Sequence, residues 1–385
     1  MWYNHINNGS YLKPKREGED GMVKYPKTHN GIVHRNSGSF FRYDGWPSVC
    51  RDDEGTLYTV YSGFRADHIC PFGKTCLCRS YDNGNTWSSP IVINDTWMDD
   101  RDAGILSLGG RRLLVTWFCH SREKYLSWKA DLVRRWAGSE SVLEQYGTLR
   151  PDECEGGSFI RLSSDGGETW GETVRVPVSS PHGPVMRRDG SLLYLGKEMY
   201  VHDAPAAGEK AEDDVIIAMK SGDCGKTWQE LGRVPLPDAE GIVWDHLHEP
   251  HVLELPDGKL IGMIRGHHPY PSMIYQTGSE DGGKTWSVPE VFPYHGLPPH
   301  IMRHSSGAVI VTFGHREVPF GEQAAVSFDD GKTWKDLYIL RDDAADADLG
   351  YPATVELDDG SLLTVYYQRV KGDSFPCVQY TKWSL

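Results

Sequence analysis

The sequence lacks several features that identify large classes of protein. It has no apolar run long enough to cross a membrane and no paired C-x-x-C spacing of the kind found in zinc and redox sites. It also has no basic segment to offset its excess of Asp and Glu over Lys and Arg, 54 against 40. The net charge of −14 argues against a nucleic acid or an anionic membrane as partner. If the substrate is anionic, a few local arginines must bind it.

Cysteine usage and the N-terminus bear on the cellular compartment. The eight cysteines are scattered along the chain, which predicts mostly buried thiols in a reducing compartment. Residues 1–20 contain no apolar core of a signal peptide. The sequence as it stands therefore predicts a cytoplasmic protein. A secreted or periplasmic protein whose signal was removed is the alternative.

One short pattern, S-x-D-x-G-x-T-W, occurs five times. We call the copies the Asp turns, and they occupy residues 80–87, 163–170, 221–228, 279–286 and 327–334. The Ser and Asp side chains can accept hydrogen bonds from backbone N–H groups of the turn, and the Gly allows a positive φ. The Trp can anchor the turn to the layer beneath it. Because one active site cannot use five equivalent turns, we interpret them as structural.

A second pattern, a hairpin of the form D-G-x-L-L, alternates with the Asp turns. Its six copies occupy residues 53–63, 109–118, 188–198, 256–266, 305–315 and 359–368. Each predicts an inner strand, a two-residue turn and a second strand rich in apolar residues. With a strand and an Asp turn after five of them, the repeat becomes a four-stranded blade of roughly 50 residues. We therefore predict an all-β fold, a six-bladed β-propeller that forms a single domain over residues 1–385.

Two segments fall outside the repeat. Residues 119–150 are helical in composition, with Trp128, Leu132 and Trp136 on one face. This helical insertion either covers the rim or forms a subunit contact, or it is a lid over an active site. The stretch GIVHRN (31–36) predicts a strand that completes the last blade and closes the ring.

The combination of five Asp turns with six blades resembles the sialidase (neuraminidase) superfamily, over about residues 45–367. The resemblance implies a retaining exo-α-sialidase of bacterial type, without a cofactor, that releases terminal sialic acid from sialylated glycans. In that chemistry a cluster of arginines binds the sugar carboxylate. A tyrosine replaces the usual carboxylate nucleophile, a glutamate acts as its base, and a further group protonates the leaving oxygen.

Four residues match the best-defined positions of that family. The resemblance implies that Tyr351 is the nucleophile and that Glu249, at the start of an inner hairpin, is its base. Arg265, at the end of the same hairpin, resembles the second arginine of the carboxylate-binding triad. Arg316, one blade later, resembles the third. Tyr367 stands where the family often has a glutamate that orients the first arginine.

The first blade departs from the family pattern. Gly45 stands where the first triad arginine falls, and Arg42 lies three residues earlier. Arg65, which matches the family's other first-blade arginine, is the preferred carboxylate ligand.

The resemblance places the acid/base group in the loop after Arg65, where Asp67 is the matching aspartate. His68 beside it is the alternative, because a histidine titrates near neutral pH. In the second blade, Asp102 occupies a substrate-pocket position, and Arg101 is a further possible carboxylate ligand.

The remaining predictions concern metals and rival functions. His246, His248 and His251 match no common zinc spacing, and we predict no metal. The first rival function is a glycosidase of the same fold that acts on another ulosonic or uronic acid sugar. The second is a non-catalytic, lectin-like propeller. A transferase variant of the sialidase also stays open.

Overall fold

The computed structural model describes residues 22–136, 138–199 and 214–385. The N-terminal stretch 1–20 that bears on localisation lies outside them. The strands, in chain order, are β1 (Met22–Lys24), β2 (His29–His34), β3 (Tyr43–Arg51), β4 (Leu57–Arg65), β5 (Lys74–Ser80), β6 (Ile91–Asn94), β7 (Arg101–Ser107), β8 (Leu113–Cys119), β9 (Gly157–Ser163), β10 (Val174–Val176), β11 (Val178–Ser179), β12 (Val185–Met186), β13 (Leu192–Glu198), β14 (Ile216–Ser221), β15 (Gln229–Arg233), β16 (Leu247–Glu254), β17 (Leu260–Gly266), β18 (Met273–Ser279), β19 (Glu290–Val291), β20 (Pro299–Arg303), β21 (Val309–His315), β22 (Gly321–Ser327), β23 (Asp336–Ile339), β24 (Gly350–Glu356), β25 (Leu362–Gln368) and β26 (Cys377–Trp383).

These strands form six sheets, and the prediction of a six-bladed propeller is confirmed. Blade 1 consists of β3 to β6, blade 2 of β7 to β10, blade 3 of β11 to β15 and blade 4 of β16 to β19. Blade 5 consists of β20 to β23, and β1 adds a parallel strand to its outer edge. Blade 6 consists of β24 to β26 and, as predicted, takes its fourth strand from the N-terminus. There β2 pairs antiparallel with β26, from His29 opposite Lys382 to His34 opposite Val378.

The Asp turns lie between the third and fourth strands of blades 1 to 5 and share one set of hydrogen bonds. In the last copy, the Asp329 carboxylate accepts from the Thr333 N–H at 2.9 Å and from the Thr333 hydroxyl at 2.7 Å. The Ser327 hydroxyl donates to Asp329 and accepts from the Gly331 N–H. The same four bonds recur in the other copies. The turns are therefore self-contained structural elements.

The inner hairpin turns differ from the prediction by one residue. In blade 4 the Leu255 N–H donates to the Lys259 carbonyl and the Gly258 N–H donates to the Leu255 carbonyl. The loop is thus Pro256 to Gly258, three residues with the glycine at φ +87°. This is a type I turn followed by a glycine bulge. The pattern D-G alone does not distinguish it from a two-residue turn.

The described core has seven apolar clusters, six of which lie between pairs of neighbouring blades all round the ring. The seventh is aromatic and consists of Tyr43, Trp46, Tyr351 and Tyr367. The Trp of every Asp turn packs into the cluster shared with the preceding blade: Trp87, Trp170, Trp228, Trp286 and Trp334. Trp286 and Trp334 are buried, and the other three are partly buried. Full burial of a large apolar side chain contributes about 1.5–3 kcal/mol, and partial burial contributes less. The tryptophan therefore ties the outer turn of one blade to the face of the blade before it.

The segment 119–150 is helical, as predicted, and its helices continue slightly beyond it: α1 (Arg122–Ser127), α2 (Lys129–Arg135), α3 (Ser139–Tyr146) and α4 (Pro151–Cys154). A 3-10 helix (Trp244–His246) precedes β16. The insertion packs on the rim of blades 1 and 2, where Tyr146 donates to the Pro71 carbonyl at 3.1 Å. Tyr125 donates to the buried carboxylate of Asp99. These contacts make the insertion a rim cover.

All eight cysteines are free, and seven of them are buried. Among the described residues, no helix combines the length and the hydropathy needed to span a membrane.

Candidate active site

Four of the inner strands carry a residue with positive φ at the same place, close to the start of the strand. These residues are Trp46 in blade 1, Asp102 in blade 2, Glu249 in blade 4 and Tyr351 in blade 6, with φ between 47° and 53°. Each lies in a β-bulge, where the pairing with the second strand shifts register. A bulge re-aims a side chain, and left-handed φ in a non-glycine residue costs of order 1 kcal/mol. Because backbone strain of this kind is concentrated at functional sites, the four positions are candidates for the active site.

Tyr351, Glu249 and Arg265 form a closed hydrogen-bonded group. The Tyr351 hydroxyl donates to Glu249 Oε1 at 2.7 Å. One Arg265 guanidinium nitrogen donates both to Glu249 Oε2 at 2.5 Å and to the Tyr351 oxygen at 3.0 Å. Glu249 and Arg265 lie on adjacent strands, β16 and β17, whereas Tyr351 comes from β24 two blades away. Ring closure brings together residues 102 positions apart.

Burial and neighbouring charged groups determine whether Glu249 and Tyr351 are protonated. Burial alone would raise the pKa of Glu249, but the Arg265 guanidinium and the Tyr351 hydroxyl outweigh it, and the pKa lies below its usual range. Burial and the charges of Glu249 and Asp102 raise the pKa of Tyr351 well above its usual value. At neutral pH the pair is therefore a neutral phenol hydrogen-bonded to a carboxylate. Such a carboxylate can accept the phenolic proton when the oxygen attacks a substrate.

Three arginines act electrostatically on Tyr351. Besides Arg265, they are Arg316 and Arg101. The Arg316 guanidinium lies 6.0 Å from the Tyr351 ring and donates to the Leu349 carbonyl at 2.7 and 3.0 Å. Arg101 is nine-tenths buried and lies 4.2 Å from the Trp46 ring. The site can thus present three guanidinium groups to an anion.

Arg65, the preferred first-blade ligand from the sequence, has a different environment. It is completely buried, and both of its terminal nitrogens donate to the equally buried carboxylate of Asp99. It also donates to the Ser62 hydroxyl and to the His68 carbonyl. Because these bonds occupy both terminal nitrogens of a fully buried side chain, Arg65 suits the support of the first-blade loop better than the binding of a ligand. Arg101 also bonds Asp99 and the His68 carbonyl, and it is the arginine of this pair whose charge interacts with Tyr351.

The two acid/base candidates of the first-blade loop are both engaged. The Asp67 carboxylate pairs with Arg135 of the helical insertion at 3.1 Å and accepts from the His68 N–H. The His68 ring contacts the Asp348 carboxylate at 3.1 Å and the Tyr43 hydroxyl at 2.7 Å. Burial lowers the pKa of His68 in spite of Asp348. Among these contacts, neither side chain touches Tyr351 or Glu249.

Asp102 differs from both. It is buried, and its Oδ1 atom has no hydrogen-bond partner in the described part of the chain. The Arg101 Nε atom lies 4.0 Å from it. Burial and repulsion from Glu249 raise the pKa of Asp102 to about 7, although Arg101, Arg65 and Arg265 oppose the rise.

Sequence reasoning missed Trp46, which shares the strained inner-strand position and lies 6.3 Å from the Tyr351 ring, centroid to centroid. A signal was available. Trp46, Glu249 and Tyr351 are each followed by proline, and each precedes the turn glycine of its blade by nine residues (Gly55, Gly258 and Gly360). Asp99 was missed as well, because nothing in its local sequence indicates that it pairs with Arg65.

The channel histidines do not join this group. His251 and His300 lie on inner strands and His182 in the turn before β12. Their rings pack on one another, with centroids 4.5–5.3 Å apart. They border a cavity of about 790 Å³ that extends to the inner hairpin turns, at the opposite end of the channel. His248 packs instead against His267. In the part of the chain that the structure describes, no group of His, Cys, Asp or Glu is arranged to hold a metal ion.

Comparison with known proteins agrees with this architecture. Residues 133–364 match the family described as BNR repeat-like domain. The chain belongs to this family. No curated protein matches the sequence of this BNR repeat-like protein.

Solved structures that resemble this BNR repeat-like chain share its fold at low sequence identity. A protein of unknown function from Dyadobacter fermentans is 20% identical with a TM-score of 0.72, covering 93% of this chain and 99% of its own. The K499G mutant of the NanB sialidase from Streptococcus pneumoniae is 14% identical with a TM-score of 0.63, and the match covers 92% of this chain and 70% of the NanB chain. An α-L-arabinofuranosidase from Fusarium graminearum is 14% identical with a TM-score of 0.61, and the match covers 93% of this chain and 98% of the arabinofuranosidase chain. At these identities the likeness establishes the fold, which hosts more than one chemistry.

Proposed function

We propose that this protein is a retaining exo-glycosidase for acidic sugars, with terminal α-linked sialic acid of sialylated glycans as its substrate. The observation that carries the proposal is the 2.7 Å hydrogen bond from the Tyr351 hydroxyl to Glu249, beside Arg265. A phenol bonded to an ionised carboxylate is the arrangement needed to attack an anomeric carbon that itself bears a carboxylate. A carboxylate nucleophile would be repelled there.

In the first step Tyr351 Oη bonds to the anomeric carbon as the bond from that carbon to the leaving oxygen breaks. The phenolic proton passes to Glu249 Oε1, which is already its hydrogen-bond acceptor. A further, protonated group donates its proton to the leaving oxygen, which departs as an alcohol. In the second step water attacks the same carbon, the bond to Tyr351 breaks, and Glu249 returns the proton to the phenol. The group that protonated the leaving oxygen takes up the proton that the attacking water loses. Two displacements at one carbon give net retention of configuration.

Arg101, Arg265 and Arg316 are proposed to bind the sugar carboxylate. The support for this is the action of all three guanidinium groups on Tyr351, together with the preference of guanidinium for carboxylate oxygens. Their positive charge offsets locally the overall charge of −14. The same charges lower the energy of the negative charge that develops on the Tyr351 oxygen during attack.

The first test is the substitution Tyr351→Phe, assayed with aryl α-sialosides. We expect kcat/KM to fall about 10³-fold or more, because the nucleophile is removed, and the wild-type protein to release the α anomer of the sugar first. Tyr58→Phe is the matched control. It also deletes a buried phenol bonded to a carboxylate, Asp52 at 2.8 Å, but does so beside the inner hairpin turn of blade 1. Wild-type turnover by the Tyr351→Phe protein would refute the proposal.

One observation favours a second candidate, a glycosidase for another ulosonic or uronic acid. Gly45 stands where the resemblance places the first arginine, and Trp46 beside it occupies the blade 1 position with positive φ. A carboxylate would therefore be bound differently from the pattern implied by the resemblance. Assaying aryl glycosides of other ulosonic and uronic acids beside the sialosides separates the two candidates. Binding of sialic acid without release from any of these glycosides would identify a lectin-like protein instead.

A further inference from the structure

Asp102, the blade 2 member of the four residues with positive φ, is an acid with one oxygen atom that lacks a hydrogen bond among the described residues. Asp102 shares its positive φ and its bulge with Glu249 and Tyr351, so the backbone directs all three by the same device. The side chain is more than nine-tenths buried. Yet its Oδ1 atom receives no hydrogen bond in the described part of the chain. An unsatisfied buried polar atom costs about 1–3 kcal/mol and calls for a functional or structural explanation.

The neighbouring acids show what a structural carboxylate looks like in this blade. Asp99 bonds Arg65, Arg101 and Tyr125. Asp100 accepts from Asn94, from Thr96 and from the Cys119 thiol. Both are therefore satisfied within the fold. Of the three, only Asp102 has a carboxylate oxygen without a hydrogen bond from the described residues, and a substrate group could bond to it.

Asp102 interacts electrostatically with the residues proposed to react with the substrate. Its charge interacts with Glu249, with Tyr351 and with the guanidinium groups of Arg101, Arg65 and Arg265. The first-blade alternatives are committed elsewhere, since Asp67 bonds Arg135 and His68 bonds Asp348 and Tyr43. Asp102 and Glu249 thus have opposite environments. Burial and repulsion from Glu249 raise the pKa of Asp102, whereas Arg265 helps to lower the pKa of Glu249.

We infer that Asp102 is the catalytic acid/base that protonates the leaving oxygen, an inference that rests on the proposed function. As the glycosidic bond breaks, the Asp102 carboxyl donates its proton to the departing oxygen, which leaves as an alcohol, while Tyr351 bonds to the anomeric carbon. The Asp102 carboxylate then accepts a proton from the water that attacks that carbon. After both steps Asp102 is protonated again, and one water has been consumed.

The sign of the pH dependence follows from the environment. An acid must be protonated to act, and the pKa of Asp102 is raised to about 7, first by burial and further by repulsion from Glu249. For the wild-type protein, kcat/KM should therefore fall as pH rises through an apparent pKa near 7. Glu249, whose pKa is lowered, sets the acidic limb at a pH below its usual range. Since the two groups interact, the apparent values belong to the pair.

The test is Asp102→Asn, assayed with two series of sialosides. On substrates with alkyl or sugar leaving groups we expect kcat/KM to fall about 10²–10⁴-fold, the usual contribution of general acid catalysis. On aryl sialosides with acidic phenols the loss should stay below about tenfold, because such leaving groups need no proton. The alkaline limb of the pH profile should disappear. Asp100→Asn is the matched control: it is a buried, fully bonded neighbour, and any loss it causes should be equal for both series.

The outcomes separate this inference from the proposed function. A wild-type protein that cleaves no acidic-sugar glycoside contradicts the proposed function, and the acid/base role with it. A protein that cleaves them, but whose Asp102→Asn variant loses both series equally or shows only a raised KM, contradicts Asp102 alone. Appearance of the leaving-group signature in Asp67→Asn instead would assign the role to Asp67. A ¹³C NMR titration of the free protein adds a readout without turnover: the carboxyl signal absent from Asp102→Asn should titrate near pH 7, and a midpoint below about 5 overturns the inference.

Discussion

At the scale of single residues, the site depends on which charged groups are already bonded and which are left for a substrate. Arg65 and Arg101 are three-dimensional neighbours that share Asp99 and the His68 carbonyl. Arg65 is completely enclosed, whereas Arg101 acts on Tyr351. The residue type is the same, and only the geometry separates a supporting arginine from one placed at the site.

This assignment predicts that Arg65→Met damages folding first. The substitution leaves Asp99 buried with only Arg101 and Tyr125 as partners, and breaking one side of a buried ion pair costs roughly 3 kcal/mol or more. We expect that loss in the free energy of unfolding measured in urea. Arg35→Met, which breaks the more exposed pair with Asp373, should cost under about 1 kcal/mol. A fully stable Arg65→Met protein that has lost only ligand binding would restore Arg65 as a carboxylate ligand.

At the scale of elements, the Asp turn is a small unit whose bonds come from its own eight residues. In the last copy, bonds from Ser327 and Thr333 outweigh burial and lower the pKa of Asp329 to about 2. A folded-state pKa below the unfolded value means that the carboxylate contributes stability above about pH 4. That contribution is lost as pH falls toward 2.

Asp329→Ala should therefore destabilise the protein by about 1 kcal/mol at pH 7. The difference from wild type should shrink as pH falls from 4 to 2, because protonation weakens the same bonds in the wild-type turn. Thermal unfolding followed across this pH range checks both parts, with Asp330→Ala, an exposed neighbour, as control. Since the turns are structural, kcat/KM at 25 °C should not change. A large loss of activity in a stably folded Asp329→Ala protein would contradict that interpretation.

At the scale of the whole molecule, the ring is closed by strand β2, which covers the edge of β26 and places Val33 in the cluster between blades 6 and 1. Without it the polar backbone groups of β26 would form an exposed sheet edge. The site shares this dependence, because Tyr351 and Trp46 come from the two blades that meet at the closure.

A chain that begins at residue 37 should consequently unfold at a temperature lower by more than about 5 °C, or aggregate, because a strand and part of a core cluster are lost. The control is a chain that begins at residue 28, which loses β1 but keeps β2. It should stay close to the full-length protein in thermal unfolding, because β1 pairs only along the outer edge of blade 5. Equal stability of both truncated chains would show that the closure contributes little.

The sequence by itself determined the propeller, because every blade has an inner hairpin with a turn glycine, a pattern that is local in sequence. Five of the six blades also have an Asp turn, whose hydrogen bonds and tryptophan lie within eight residues. Through its resemblance to the sialidase superfamily it also suggested Tyr351, Glu249 and Arg265 as site residues, and these three are hydrogen-bonded to one another in the structure. Only the tertiary structure decided that Asp99 pairs with Arg65 and that Asp67 pairs with Arg135 of the insertion. It also decided that the Asp102 Oδ1 atom receives no hydrogen bond from the described residues. Those outcomes depend on contacts between blades, where distance in space bears no relation to spacing along the chain.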